Sequence, residues 1–135
     1  MKKQFLFLLF FLLVSSLLKA QSSPVMYFCE RYDQEKGEIG INDTFPIGDI
    51  TVMVKSSHEL GLKHVHIRFD MWDTISHSFN IYKKFNFTIN PDMKYVFFSE
   101  NDESDMKLDK PGFYKVYLLN DSDKVAASAI VQILK

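Results

Sequence analysis

The reading of the fold rests on two neighbouring stretches. They are Lys63-His64-Val65-His66-Ile67-Arg68-Phe69-Asp70-Met71 and Phe79-Asn80-Ile81-Tyr82-Lys83-Lys84-Phe85-Asn86-Phe87-Thr88-Ile89. A strand sends successive side chains to opposite faces, so residues two apart share a side. In the first stretch Val65, Ile67, Phe69 and Met71 fall on one side, and His64, His66, Arg68 and Asp70 on the other. In the second, Phe79, Ile81, Phe85 and Phe87 oppose Asn80, Tyr82, Lys84, Asn86 and Thr88. Alternation of this kind marks strands with one buried face and one wet face.

The same texture continues on both sides. Strands are expected over 25–32, 38–41, 49–55, 63–71, 79–89, 93–99, 113–120 and 124–134. Turn signals separate them: Pro46-Ile47-Gly48, Gly61, Asn90-Pro91-Asp92, Pro111-Gly112 and Asn120-Asp121-Ser122-Asp123. No stretch repeats its apolar residues with a helical period. The expected fold class is all-β: a single sandwich of about seven mainly antiparallel strands over 21–135. The chain is short for a ligand-holding up-and-down barrel.

One segment adds a family likeness. Gly112-Phe113-Tyr114-Lys115-Val116 resembles the Gly-x-Tyr-x-Cys of an immunoglobulin strand F, with Val116 in the Cys position. Together with the terminal hairpin it looks like the end of many bacterial Ig-like modules. The resemblance implies a β-sandwich in which the hydroxyl of Tyr114 bonds upstream backbone as a tyrosine corner. It implies no catalytic or ligand-binding residue.

The first 20 residues read as an export signal. Met1-Lys2-Lys3-Gln4 is a cationic start, Phe5 to Val14 an unbroken apolar run, and Ser15 to Ala20 a cleavage zone ending in a small residue. The style resembles bacterial signals. An uncleaved anchor is the rival reading, because Leu17 and Leu18 lengthen the run. The expected location is periplasmic or secreted, with no membrane span in the mature chain.

Composition narrows the function. The chain carries 16 Lys+Arg against 17 Asp+Glu, and three of the lysines lie in the signal, so the remainder is acidic by about −4. No polybasic footprint for nucleic acid is present. A single cysteine, Cys29, excludes an internal disulfide framework and a Cys-rich zinc site. It reads as a small core residue rather than a nucleophile. No phosphate loop, nucleophile elbow or supported carboxylate pair occurs, so the chain is expected not to be an enzyme and to need no cofactor.

Candidate sites are therefore contact sites. His64 and His66 point the same way and could share a metal, yet no third ligand has a specified spacing, and the plain reading is a wet strand face. The acidic run 100–105 could bind calcium but lacks an ordered ligand spacing. Trp72 and Tyr82 could stack on sugar rings. The expected binding surface combines His64, His66, Arg68, Tyr82 and Lys84 with the loop around Trp72. Its expected partner is another envelope or extracellular protein, with a carbohydrate or metal ligand as the alternative.

Overall fold

A computed structural model describes residues 22–101 and 105–135. The proposed export signal lies outside the described residues, as do 102–104 of the acidic run. The two alternating stretches form β7 (His64–Asp73) and β8 (Ser78–Thr88), an antiparallel hairpin. Their apolar sides need a second layer to cover them, and the rest of the chain supplies it.

Before them come β1 (Val25–Cys29), β2 (Arg31–Asp33), β3 (Gly37–Ile39), β4 (Thr44–Pro46), β5 (Gly48–Asp49) and β6 (Thr51–Lys55). After them come β9 (Tyr95–Phe98), β10 (Lys107–Leu108), β11 (Gly112–Asn120) and β12 (Val125–Leu134). One sheet has the order β4-β12-β11-β7-β8, the other β1-β6-β9. All pairings are antiparallel except β12 with β4. Two small ladders, β2-β3 and β5-β10, complete the described residues.

The two large sheets bury one shared core. Phe28, Val52, Val54 and Phe98 come from the smaller sheet, and Ile67, Phe69, Val116 and Val131 from the larger. In chain order β1, β6, β7, β8, β9, β11 and β12 occupy the places of strands A, B, C, C′, E, F and G of an immunoglobulin sandwich. Tyr114, fully buried, donates its hydroxyl to the carbonyl of Lys110 at 2.7 Å, which is the tyrosine corner. The chain is an Ig-like β-sandwich.

More strands are present than the expected seven. The surplus comes from β2 to β5, before β6, and from β10, strands of two or three residues that are too short to leave an alternating run. The expected strand over 25–32 is interrupted at Glu30, whose N–H turns to the carbonyls of Ile39 and Gly40. Gly40 has φ +69, a left-handed backbone that glycine adopts without strain, and a Cβ there would displace the exposed Glu30 side chain.

The β2-β3 hairpin lies over the outer side of the smaller sheet. There Tyr32 stacks on Phe97 at 4.4 Å between centroids. Glu38 accepts the hydroxyl hydrogen of Tyr27 and forms an ion pair with Lys55 at 3.7 Å. Met53 and Cys29 on that side are completely buried.

The Tyr27 hydroxyl, then Tyr95, hold the Glu38 carboxyl down at about 2. A carboxyl held below its ordinary value adds stability that is present above that value and lost as pH falls toward the folded one. Between about pH 4.5 and 2 the wild type should therefore lose melting temperature faster than Glu38→Gln. Parallel melting curves for the two proteins in that window would remove Glu38 from this role.

Candidate functional site

The outward side of the five-stranded sheet carries most of the residues expected to make contact. Register places them in rows. His64 sits opposite Thr88, His66 opposite Asn86, Arg68 opposite Lys84, and Trp72 opposite Phe79. On the far side of β7, Tyr117 of β11 pairs with Arg68, and Lys115 with Asp70.

Tyr82 does not belong to this surface. The β7-β8 register slips between Phe69 and Asp70: Phe69 faces Lys83 and Asp70 faces Ile81, which leaves Tyr82 as the extra residue of a β-bulge. Tyr82 turns to the core side, its ring 5.6 Å from that of Tyr114 and its hydroxyl bonded to Asp109. That bond is the main reason its hydroxyl is pushed up to about 12.

The bulge also corrects the reading of Phe79 and Ile81. Strict alternation puts both on the buried side, but past the bulge they point outward. Ile81 is 68% exposed. Phe79 meets Trp72 edge to face at 5.1 Å.

Three zones follow along the surface. At one end lie the Trp72–Phe79 pair, Ile81, Phe113 of β11 (47% exposed) and Ile130 of β12 (51% exposed). Phe113 stands one step beyond the last paired residue of β11, Tyr114 opposite Met71, and so lies beside Trp72. Sequence reasoning missed Phe113 and Ile130. The signal was available, since they share the odd–even parity of Lys115 and Ser128.

In the middle, Arg68 bonds Asp70 through both nitrogen–oxygen contacts, at 2.9 and 3.0 Å. The Arg68 guanidinium also lies 4.7 Å over the Tyr117 ring. Asp70 is buried although it faces outward. Arg68 is thus a structural anchor before it is a contact residue.

At the other end the β11-β12 turn folds over the sheet. Lys84 donates to Asp123 at 2.9 Å across it, and Leu119 is buried beneath. His66 Nδ1 and Asn86 Oδ1 stand 2.6 Å apart. A polar hollow of about 570 Å³ there is lined by His64, His66, Asn86, Thr88, Asn101 and Asp121.

Other motifs separate in space. Among the described residues no group of three His, Cys, Asp or Glu side chains is placed to hold a metal. Cys29 is buried, its sulfur 3.4 Å from the Arg31 carbonyl, and burial pushes the thiol up. Such a thiol is a poor nucleophile at neutral pH. No helix among the described residues is long and apolar enough to cross a membrane.

No protein-family model matches the chain, and no curated protein matches it. Two solved structures are similar in shape. An immunoglobulin-like protein from Pseudomonas aeruginosa is 11% identical, with a TM-score of 0.48 over 85% of this chain and 99% of that one. A superoxide reductase (neelaredoxin) from Ignicoccus hospitalis is 11% identical, with a TM-score of 0.43 over 84% of this chain and 82% of that one.

Proposed function

We propose that the chain is an exported, non-catalytic Ig-like module that works by binding another envelope or extracellular protein. The observation that carries this reading is the outward end of the larger sheet. Trp72, Phe79, Ile81, Phe113 and Ile130 present rings and branched aliphatics together, beside the charged row of Arg68, Asp70 and Lys115. An apolar cluster rimmed by charge on one sheet face is the anatomy of a contact surface. The cationic start and apolar run of 1–20 support export.

A photo-cross-linking residue at position 130 tests the reading in the native envelope. It should capture a discrete partner, and Ile81→Ser with Phe113→Asp should abolish capture. Both positions are exposed, so the melting temperature should stay within a few degrees, as for surface changes of about 0.5 kcal/mol. Capture that survives both substitutions would sink this surface as the site.

The row of rings also supports the carbohydrate alternative. A glycan at 100 times its dissociation constant stabilises the fold by about 2.7 kcal/mol. A melt against a glycan panel that rises for the wild type and not for Trp72→Ala would select that reading instead.

A further inference from the structure

We propose that the free edge of β9 is a strand-addition site, distinct from the larger sheet's outer face, that takes an extended, uncharged segment of a partner protein with apolar side chains at alternate positions. β9 pairs with β6 on one side, and among the described residues no strand lies on its other side. An unpaired edge offers a row of main-chain N–H and C=O groups, and the chemistry that satisfies such a row is another extended backbone. In the constant-type immunoglobulin order a fourth strand, D, stands beside E. Here β9 holds the E position, and the short connection from β8 does not fill the next one. That connection is drawn aside instead, with Ile89 N–H bonding the Lys63 carbonyl at 2.8 Å, and Leu60 and Gly61 N–H groups bonding the carbonyls of Met93 and Pro91 at 2.9 Å each.

The space beside the edge is shaped for side chains as well as backbone. A cleft of about 490 Å³ runs between the end of β8 and β9, bounded by Phe87, Ile89, Met93, Val96 and Phe98, with Tyr32 and Phe97 on its outer lip. Val96 and Phe98 face the core while Tyr95 and Phe97 face outward, so alternate side chains of a neighbouring strand enter the apolar cleft and the others lie along its outer lip. No charged side chain lines the cleft, and burying an unpaired charge there would be costly, which selects an uncharged segment.

The sheet edges at β8 and β9 are treated differently. β8 carries a bulge at Tyr82 and the consecutive lysines Lys83 and Lys84, the usual means of discouraging edge pairing. Tyr95-Val96-Phe97-Phe98 carries no charge, proline or bulge, and Phe97 is 42% exposed.

The test is selection of a random-sequence peptide library on the full chain, followed by amide hydrogen exchange of the complex. Recovered peptides should alternate apolar and polar residues. They should slow exchange at Tyr95, Val96, Phe97 or Phe98, and should bind roughly tenfold more weakly to Met93→Lys, a surface change outside the strand. Phe97→Lys should weaken them further, but it also removes a ring beneath Tyr32, so Met93→Lys is the deciding variant. Recovery of no alternating peptide would overturn the proposal. So would peptides that bind without protecting β9, or that are lost with Phe113→Asp instead. Pairing of β9 with a second copy of the chain, seen as a dimer in sedimentation that Met93→Lys dissolves, would replace the partner segment as occupant and overturn it equally.

Discussion

Arg68→Ala should destabilise the domain by about 3 kcal/mol, far more than an outward-facing strand residue ordinarily costs. The reason is Asp70. Its carboxylate is buried and takes both nitrogen–oxygen contacts from Arg68, at 2.9 and 3.0 Å. Removing the guanidinium leaves a carboxylate with little access to water, and breaking a buried pair costs about 3–5 kcal/mol. The lower figure applies because the Arg68 side chain is itself 24% accessible, so water can reach part of the space it leaves. The lost contact with the Tyr117 ring acts in the same direction. For a domain of this size the melting midpoint should fall by roughly 10 °C.

A double change separates the pair from its parts. Arg68→Met with Asp70→Leu removes both charges and should recover most of the loss, since an apolar pair of similar volume is often neutral or better. If the double variant is as unstable as Arg68→Ala, the ion pair is not the cause and packing against Tyr117 is. Either way, loss of binding by an Arg68 variant cannot be assigned to a partner until its stability has been measured. The surface positions that report on contact cleanly are Ile81, Phe113 and Ile130.

What is legible in the sequence divides along one physical line. β7 reads correctly because each buried apolar residue lies two from the next, from Val65 through Ile67 to Phe69, with nothing inserted. β8 reads correctly only as far as the bulge. Carrying the alternation from Phe85 back to Phe79 places Lys83 on the core side. A lysine at an inward position is the mark of a register change that parity alone passes over. Lys83 resolves it by reaching sideways, its ammonium 2.6 Å from the Lys107 carbonyl.

The bulge takes Tyr82 off the expected surface and puts Ile81 and Phe79 on it. The β2-β3 hairpin is half legible: a strand is expected over 38–41, where β3 forms, but strands of three residues are too short for periodicity to separate β2 from β1. Its stability comes from the contacts of Glu38 and Tyr32 with distant side chains, which no local window contains. The Tyr114 motif is legible from five residues because its partner is close in sequence. A hydroxyl that bonds a carbonyl four residues upstream is local information.

That tyrosine is the subject of the largest expected effect. Tyr114 is fully buried near the start of β11, and its neighbours on the core side are Val116 and, across the ladder, Val131. Tyr114→Ala should cost about 3–5 kcal/mol, because it removes a large aromatic from a packed interior that cannot collapse to fill the space. Domains of this kind are stable by about 5–15 kcal/mol in total, so the variant stands near the threshold of folding.

Tyr114→Phe keeps the ring and removes only the hydroxyl. It should cost about 1 kcal/mol, the worth of the bond to Lys110 with the carbonyl left unpaired. Urea unfolding measures both, and the midpoints should shift while the slopes stay equal. If the two variants are equally unstable, the hydroxyl and not the ring holds the strand, and the corner bond outweighs the packing. Burial also pushes the Tyr114 hydroxyl up to about 12. A group raised on folding supplies stability that is complete below its ordinary value, near 10, and lost as pH rises through the folded one. Wild type should therefore lose stability progressively between about pH 10 and 12. Tyr114→Phe, having no proton to lose there, should begin less stable and lose less over the same range.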